Sequence, residues 1–526
     1  MPESFDYVVV GAGSAGCAVA ARLSEDPGTR VLLLEAGGRD RSPNVKIPAA
    51  FAKQFRTKLD WDYASGPEPA LDGRMLYVPR GRGLGGSSSM NAMMYVRGRP
   101  LDYDGWRGAG CAGWGYEDVL PYFIRAENNS RGASELHGAG GPLDVTDQRS
   151  PRPLTRRFVE AAREAGIPYN PDLNSPEQDG VGFTQVTQRK GRRWSCADAY
   201  LRPAAGRSNL KVATGALVLG VALEGDRAAG VRWRDRRGRE RLARAAAEVV
   251  LCAGAIGSPQ ILMLSGIGPA DHLRELGIEV RADLPGVGEN LQDHPFATLC
   301  WETTEAGLAD AEKPKALAEW LLRRSGPLTS NVGEAMAFVR TRPGLPAADV
   351  QMIFAPAYYH DHGFDTHEGH AFTLGPVLLG PRSRGRLRLR SSDPDAKPDL
   401  VGNHLSDPDD MATMIAGVRR VREVASTEPL ASVRGRELVP GPEVETDADV
   451  EAFLRRETEL LYHPVGTCRM GDGPDAVLTA DLRVRGVEGL RVADASAMPA
   501  ITGGNTHAPT VMIGEKAADL IRGAAR

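Results

Sequence analysis

The stretch FDYVVVGAGSAGCAVAARLSE, residues 5–25, constrains the fold of this chain more than any other. An apolar run of strand length meets a glycine-rich turn, and small residues suited to close packing follow as a helix. RVLLLEAG, residues 30–37, then reads as a second strand ending in Glu35. The turn carries G-x-G-x-x-G at Gly11, Gly13 and Gly16. Glycines there let the backbone approach a pyrophosphate seated at the positive end of a helix. Glu35 falls 24 residues after Gly11, where an acid can accept hydrogen bonds from a ribose hydroxyl. A lone G-x-G-x-x-G is weak, but a strand before it, a helix after it and an acid ending the next strand make a dinucleotide site the expectation.

That motif does not separate NAD from FAD. PRGRGLGGSSSMNAMMYVRG (79–98) is a second glycine- and serine-rich stretch, suited to backbone donors wrapped around an extended cofactor. AAEVVLCAGAIGSPQILMLSGIG (246–268) reads as another buried strand, turn and helix, and GLRVADASAMP (489–499) as a strand running into Asp494. Small-residue turns spread over the whole chain imply one cofactor site assembled from distant segments.

With 526 residues the chain exceeds what one hydrophobic core usually organises, so two domains are expected. A net charge of −4 leaves no basic excess to neutralise phosphates and argues against a nucleic-acid partner. Basic charge is nearly all arginine, 55 against 9 lysines, and clusters such as RWRDRRGRERLARAA (232–246) read as a solvated hairpin and strand. The six cysteines are scattered without a C-x-x-C pair, which points to a reduced, cytoplasmic setting rather than a disulfide framework. No signal peptide is read at the start, and no run of 18 apolar residues predicts a transmembrane segment; peripheral membrane contact stays compatible with this composition.

Residues 300–455 differ in kind. KALAEWLLRRSG reads as a helix stopped by Gly326, and AMAFVRT, DVQMIFAP, AFTLGPVLL and GRLRLRS alternate with period two between Gly and Pro, the pattern of an antiparallel sheet. Residues 402–427 return to helix, with Asp caps.

Six stretches in order, GAGSAG with Glu35, GRGLGGSSSMNAMMYVRG, GAIGSPQILMLSGIG, GVGENLQDH, HPVGTCRMG and DASAMPAITGGNTHAPTVMIGEKAADLI, resemble the glucose–methanol–choline (GMC) family of FAD-dependent oxidoreductases. The pattern is most similar to the bacterial choline dehydrogenase and alcohol dehydrogenase branch. The resemblance implies an α/β fold: a Rossmann-like FAD-binding domain assembled from discontinuous segments, plus a mostly antiparallel α+β substrate-binding domain. The expected division is FAD-binding over 1–155, substrate domain over 156–205, FAD-binding over 206–299, substrate-binding over 300–455, and FAD-binding with active-site residues over 456–526. By motif position Gly11, Gly13, Ser14, Ala15 and Gly16 would meet the pyrophosphate, Glu35 the adenosine ribose and Val218 the adenine. Gly86, Ser87, Asn91, Ala92 and Met94 would line the flavin side, with Asp494 and Ala495 near the ribityl chain and pyrophosphate. Relatives with flavin linked through His carry it where Met90 stands here, so noncovalent FAD is expected.

The reaction implied is oxidation of a primary alcohol to an aldehyde, or in a second round onward to the acid, with proton abstraction by a base and hydride transfer to flavin N5. Such a site needs a base near the hydroxyl and a donor for developing oxygen charge. His463, in LLYHPVGTCRMG, is the candidate base; a residue before proline is held extended, suited to projecting a ring from a loop. Asn505, in GGNTHAPT, falls at the family's second active-site position and can donate to the substrate oxygen. His507 is expected to brace the loop; the alternative brings its imidazole inward. His360, His362, His367 and His370 resemble a metal cluster, but no helix-spaced pair supports one, and no metal is expected. Glu334 could favour a cationic alcohol or simply cap backbone, and Cys468 reads as packing. Electrons would pass on to O2 or to a quinone or similar acceptor. A flavin-containing lyase or a photodecarboxylase on the same fold is the competing reading.

Overall fold

A computed structural model describes residues 3–524; residues 1–2 and 525–526, the outer ends of the expected 1–155 and 456–526 segments, lie outside the described residues. The opening motif folds as strand β1 (Glu3–Val10), helix α1 (Ser14–Leu23) and strand β2 (Val31–Glu35). Val8 and Val9 on β1 and all five residues of β2 are buried, as expected of strands covered on both faces. Gly16 explains how closely α1 meets β1: a Cβ there would lie 1.9 Å from the Gly11 carbonyl oxygen.

The sheet grows from both sides of β1. Strand β3 (Leu210–Thr214) pairs with β2 in parallel, and β1 pairs in parallel with the last part of β6 (Glu240–Leu251). Between them in sequence, β4 (Leu217–Glu224) pairs antiparallel with β5 (Arg227–Arg234), and β5 turns onto the start of β6 as the antiparallel hairpin read from the arginine-rich stretch. Helix α2 (Gly254–Leu264) follows β6, and β7 (Leu490–Val492) adds in parallel to the end of β6. The carboxyl ends of β1, β2, β6 and β7 therefore lie together, although their residues come from both ends of the chain.

Helix α3 (His507–Ala524) packs along α1, close enough that a Cβ on Gly514 would stand 2.7 Å from the Ala15 carbonyl oxygen. It begins at His507, upstream of the GEKAADLI stretch read as helix. Pro509 is its third residue, a place where the missing N–H disturbs no intrahelical bond.

A second sheet is antiparallel throughout, in the order Arg434–Val439, Leu299–Thr303, Ala371–Leu378, Val350–Ala355, Ala335–Val339, Gly180–Phe183. Three of the four alternating stretches take their expected places in it. The fourth, GRLRLRS, instead makes a small hairpin of Arg386–Arg388 with Asp399–Val401, burying Leu387 alone among its three strand residues. The helix at Pro408–Ala425 is capped by Asp407, whose side chain accepts the Asp409 N–H, and packs on Ala371–Leu378. Every residue of Val350–Ala355 and Ala371–Leu378 is buried. The alternation in these strands thus separates a packed face from an enclosed one rather than core from water. The polar member Gln351 is fully buried and its amide reaches Asn505.

Candidate active site

A cavity of about 470 Å³ opens at the carboxyl ends of β1, β2 and β6, the crevice where doubly wound sheets hold their ligands. Gly11, Gly13, Ser14, Ala15 and Glu35 line it, as do Gly86, Ser87, Asn91, Ala92, Met94, Val218, Asp494 and Ala495. Of the expected cofactor residues only Gly16 does not: its place is in the packing of α1 against the Gly11 turn. Gly13 caps α1 without a side chain, so the first N–H groups of α1 face the cavity. Gly86 sits at φ +51, and a Cβ on it would come within 2.7 Å of the Gly13 Cα; the two glycine turns touch through bare backbone. Glu35 accepts the Ala12 N–H at 2.9 Å and the Gly37 N–H at 2.7 Å, while burial pushes its carboxyl above the ordinary range. Asp494 is fully engaged within the protein. It accepts from Gly254 N, Ser258 Oγ, Ser496 N and Ser496 Oγ at 2.6–2.8 Å, and so fixes the α2 turn against the loop after β7.

The other end of the cavity is made by two His-Pro loops. Asp293 Oδ1 accepts the backbone N–H of His294 at 2.7 Å and of His463 at 2.8 Å, clasping the loops together. Gln292 and Val465 exchange backbone hydrogen bonds beside them. The ring of His463 then has a partner on each side: His294 Nδ1 lies 2.9 Å from its Nδ1, and Asn505 Nδ2 lies 3.3 Å from its Nε2. With Asn505 donating to Nε2, the remaining proton belongs on His463 Nδ1, directed at His294. Burial, with the neighbouring His294 and the Arg80 guanidinium, holds the His463 pKa well below 6.5. The ring is neutral at neutral pH, and its one lone pair, on Nε2 at the cavity wall, accepts the Asn505 amide until a substrate hydroxyl takes that place.

Asn505 and His507 part company here. Asn505 joins His463 and Gln351. His507 turns to the nucleotide end, where its Nδ1 meets Ser14 Oγ at 3.0 Å; its buried Nε2 lines the cavity with no protein partner. Burial, then the Arg193 charge, brings its pKa down to about 4.

Sequence reasoning passed over His294, Asp293 and Arg80. The available signal was the repeated dipeptide: DHP at 293–295 mirrors YHP at 462–464, and the two strands flanking them, Pro295–Phe296 and Glu459–Leu460, pair. Glu334 is a capping residue: its carboxylate accepts from Ser330 Oγ, Thr155 Oγ1 and Arg152 N at 2.6–2.7 Å and does not line the cavity. The four loop histidines diverge, His360 to Thr298, His362 to Tyr462, His367 onto Tyr358 and His370 to the Gly307 N–H. Asp361, His362 and Glu459 do bring ligand-type atoms within 4.8 Å of one another, but the Arg56 and Arg74 charges face His362 and oppose a cation. Cys468, like the other five cysteines, is buried and unpaired.

The fold and this cavity define a dinucleotide-binding protein: a helix N-terminus, two touching glycine turns, an acid closing β2 and an orphaned imidazole nitrogen make a site that FAD would fit. The chain belongs to the GMC oxidoreductases, whose N-terminal model matches residues 5–296 and C-terminal model residues 381–514, and it is FAD-dependent as they are. It is 44% identical over 526 residues to the alcohol dehydrogenase [acceptor] of Pseudomonas putida, covering 98% of this chain and 95% of that one. The mitochondrial choline dehydrogenase of Homo sapiens is likewise 44% identical, over 99% of this chain and 90% of its own. Among solved structures, pyridoxine 4-oxidase from Mesorbium loti superposes with a TM-score of 0.89 at 34% identity, covering 98% of both chains. No described helix is long and apolar enough to cross a membrane.

Proposed function

We propose that the protein oxidises a primary alcohol to its aldehyde, with His463 as base and Asn505 as hydrogen-bond donor. The observation carrying this reading is the pairing of Asn505 Nδ2 with His463 Nε2, 3.3 Å apart on the cavity wall. A hydroxyl oxygen between them can hand its proton to Nε2 while accepting from Nδ2. Asp293 fixes the His463 backbone and His294 fixes its ring, so the lone pair is aimed before substrate arrives. Burial opposes an isolated imidazolium, so the proton moves only where negative charge develops on the adjacent oxygen, which Asn505 stabilises. Loss of the proton makes the carbinol C–H bond a better electron-pair donor. FAD, when bound, would supply the two-electron acceptor, and Gly11, Gly13, Ser14, Ala15, Glu35, Gly86, Ser87, Asn91, Ala92, Met94, Val218 and Ala495 on the cavity wall would hold it. No His, Cys or Tyr occupies Gly85–Asn91, where Met90 stands in place of a linking residue, and this supports noncovalent attachment. Six buried, unpaired cysteines fit a reducing, cytoplasmic setting.

Purified protein should be yellow, and an anaerobic alcohol should bleach its absorbance near ~450 nm, the oxidised-flavin band. A panel of choline, aliphatic, aromatic and furanic alcohols tests this; no bleaching by any of them sinks the proposal. Repeating the productive reaction in air and with a quinone separates oxidase from dehydrogenase.

A further inference from the structure

The substrate end of the cavity points to a charge class. Phe51, Phe55, Met90, Val332, Tyr359 and Tyr462 form its wall. The only carboxylates lining the cavity among the described residues are Glu35, Asp494 and Asp395. Glu35 and Asp494 belong to the nucleotide end, and Asp395 is paired with Arg234 at 2.6 Å. Glu334, just behind Gly333, is turned away and capped by three donors. Of the charged lining groups, the one that bears on His463 is a cation, Arg80, whose Nη1 donates to the Tyr462 carbonyl at 2.5 Å.

The tyrosines do not make this wall polar. Tyr462 Oη lies 2.6 Å from His362 Nδ1 and 3.2 Å from Tyr359 Oη, so both hydroxyls find partners within the wall. Phe55 meets the Tyr462 ring edge-on at 5.7 Å. Val332 supplies an independent sign. Its φ is +70, a left-handed conformation that a β-branched residue rarely adopts and that Asn, Asp or Gly would hold more comfortably. Strain of this kind persists where a site requires it; here it presents an isopropyl group to the cavity.

We infer that the substrate is an electrically neutral alcohol with an apolar tail, and that Val332 and the Tyr359–Tyr462 pair determine this specificity. The inference rests on the alcohol-oxidation reading above. An ammonium group placed on these rings would gain cation–π attraction, but it would lose its water with no cavity-lining carboxylate at this end to replace it, the Glu459 carboxyl behind His362 being pushed up to about 8 by burial, and Arg80 lines the same cavity. Desolvation outweighs the aromatic gain, and the neutral tail wins.

Choline and 3,3-dimethylbutan-1-ol have the same shape and differ in one charge. FAD-loaded enzyme, mixed anaerobically with each, should be reduced by the neutral alcohol with a kcat/KM at least about tenfold higher, the difference lying in KM, because an unpaired charge must be buried to bind choline. In Val332→Asp the ratio should shift toward choline by about tenfold or more, while Val332→Asn, which removes the isopropyl group without adding a charge, should shift it the same way but by less. Equal or higher kcat/KM for choline in the wild-type enzyme overturns the inference alone, whether or not the variants fold. Bleaching by neither of these nor by benzyl or long-chain alcohols overturns the alcohol reading, and this inference with it.

Discussion

At its nucleotide end the cavity is walled by backbone: the first turn of α1, the Gly13–Gly86 contact and the α2 turn fixed by Asp494. At its substrate end it is walled by side chains from separate elements, with His463 and Asn505 from two loops, Gln351 from a central strand and Tyr359 from the segment after it. Backbone donors and missing Cβ atoms serve one phosphate-bearing ligand whatever the neighbouring side chains are. Side chains can be exchanged one at a time, so this end can be retuned without disturbing the other. Damage at the first end should cost the cofactor, and damage at the second should cost turnover with the cofactor in place.

The largest effect is expected from Gly16→Ala. Its new Cβ would stand 1.9 Å from the Gly11 carbonyl, so α1 must move off β1. The variant should purify colourless or not fold, by absorbance and circular dichroism; a yellow variant with normal turnover would break the division between the ends. Next, Asn505→Ala should lower the anaerobic flavin-reduction rate by roughly 10–10³-fold while leaving the protein yellow, since removing one preorganised donor to a developing oxyanion costs on that order. His507→Ala should do the reverse, weakening FAD retention through the lost Ser14 contact with only a small change in reduction rate. Rate loss confined to His507→Ala would exchange the roles of the two residues.

The smallest effect is one of pH. The free enzyme needs His463 unprotonated, and its lowered pKa means protonation begins only well below 6.5. kcat/KM should therefore show no His463 limb as pH falls through 6.5, that limb appearing only in more acidic solution. Arg80→Gln removes one of the charges disfavouring the imidazolium, so that acid limb should move upward. Asp293, raised by burial to about 7, can add a separate limb. Asp293→Asn keeps an acceptor oxygen for the His463 N–H and should remove it.

The same division governs what could be read beforehand. Glycine spacing, the acid at Glu35 and the strand–turn–helix pattern are local, so the stretches that meet at this end of the cavity were legible; Gly16, expected at the pyrophosphate, instead packs α1 against the Gly11 turn, because spacing says where a glycine falls but not which way it faces. His463 and Asn505 were reached through motif position, 42 residues apart in sequence. Periodicity alone gives neither their contact nor its partner His294, because a ring-to-ring contact 169 residues apart depends on how two loops are clasped. Gln351 was hidden for a different reason: in an alternating strand a polar residue reads as facing water, and here it faces an enclosed site. Val332 leaves no local trace, since its left-handed backbone is imposed by surrounding structure on a residue that does not favour it.

The central claim is that His463 takes the substrate proton. Its most direct test is the rate of anaerobic flavin reduction by one productive alcohol in FAD-loaded His463→Ala, followed at ~450 nm against the wild-type protein. The account predicts a fall of about 10²–10⁴-fold with FAD still bound. A rate within about threefold of wild type would contradict it, and loss of the flavin itself would make His463 a structural residue rather than the base.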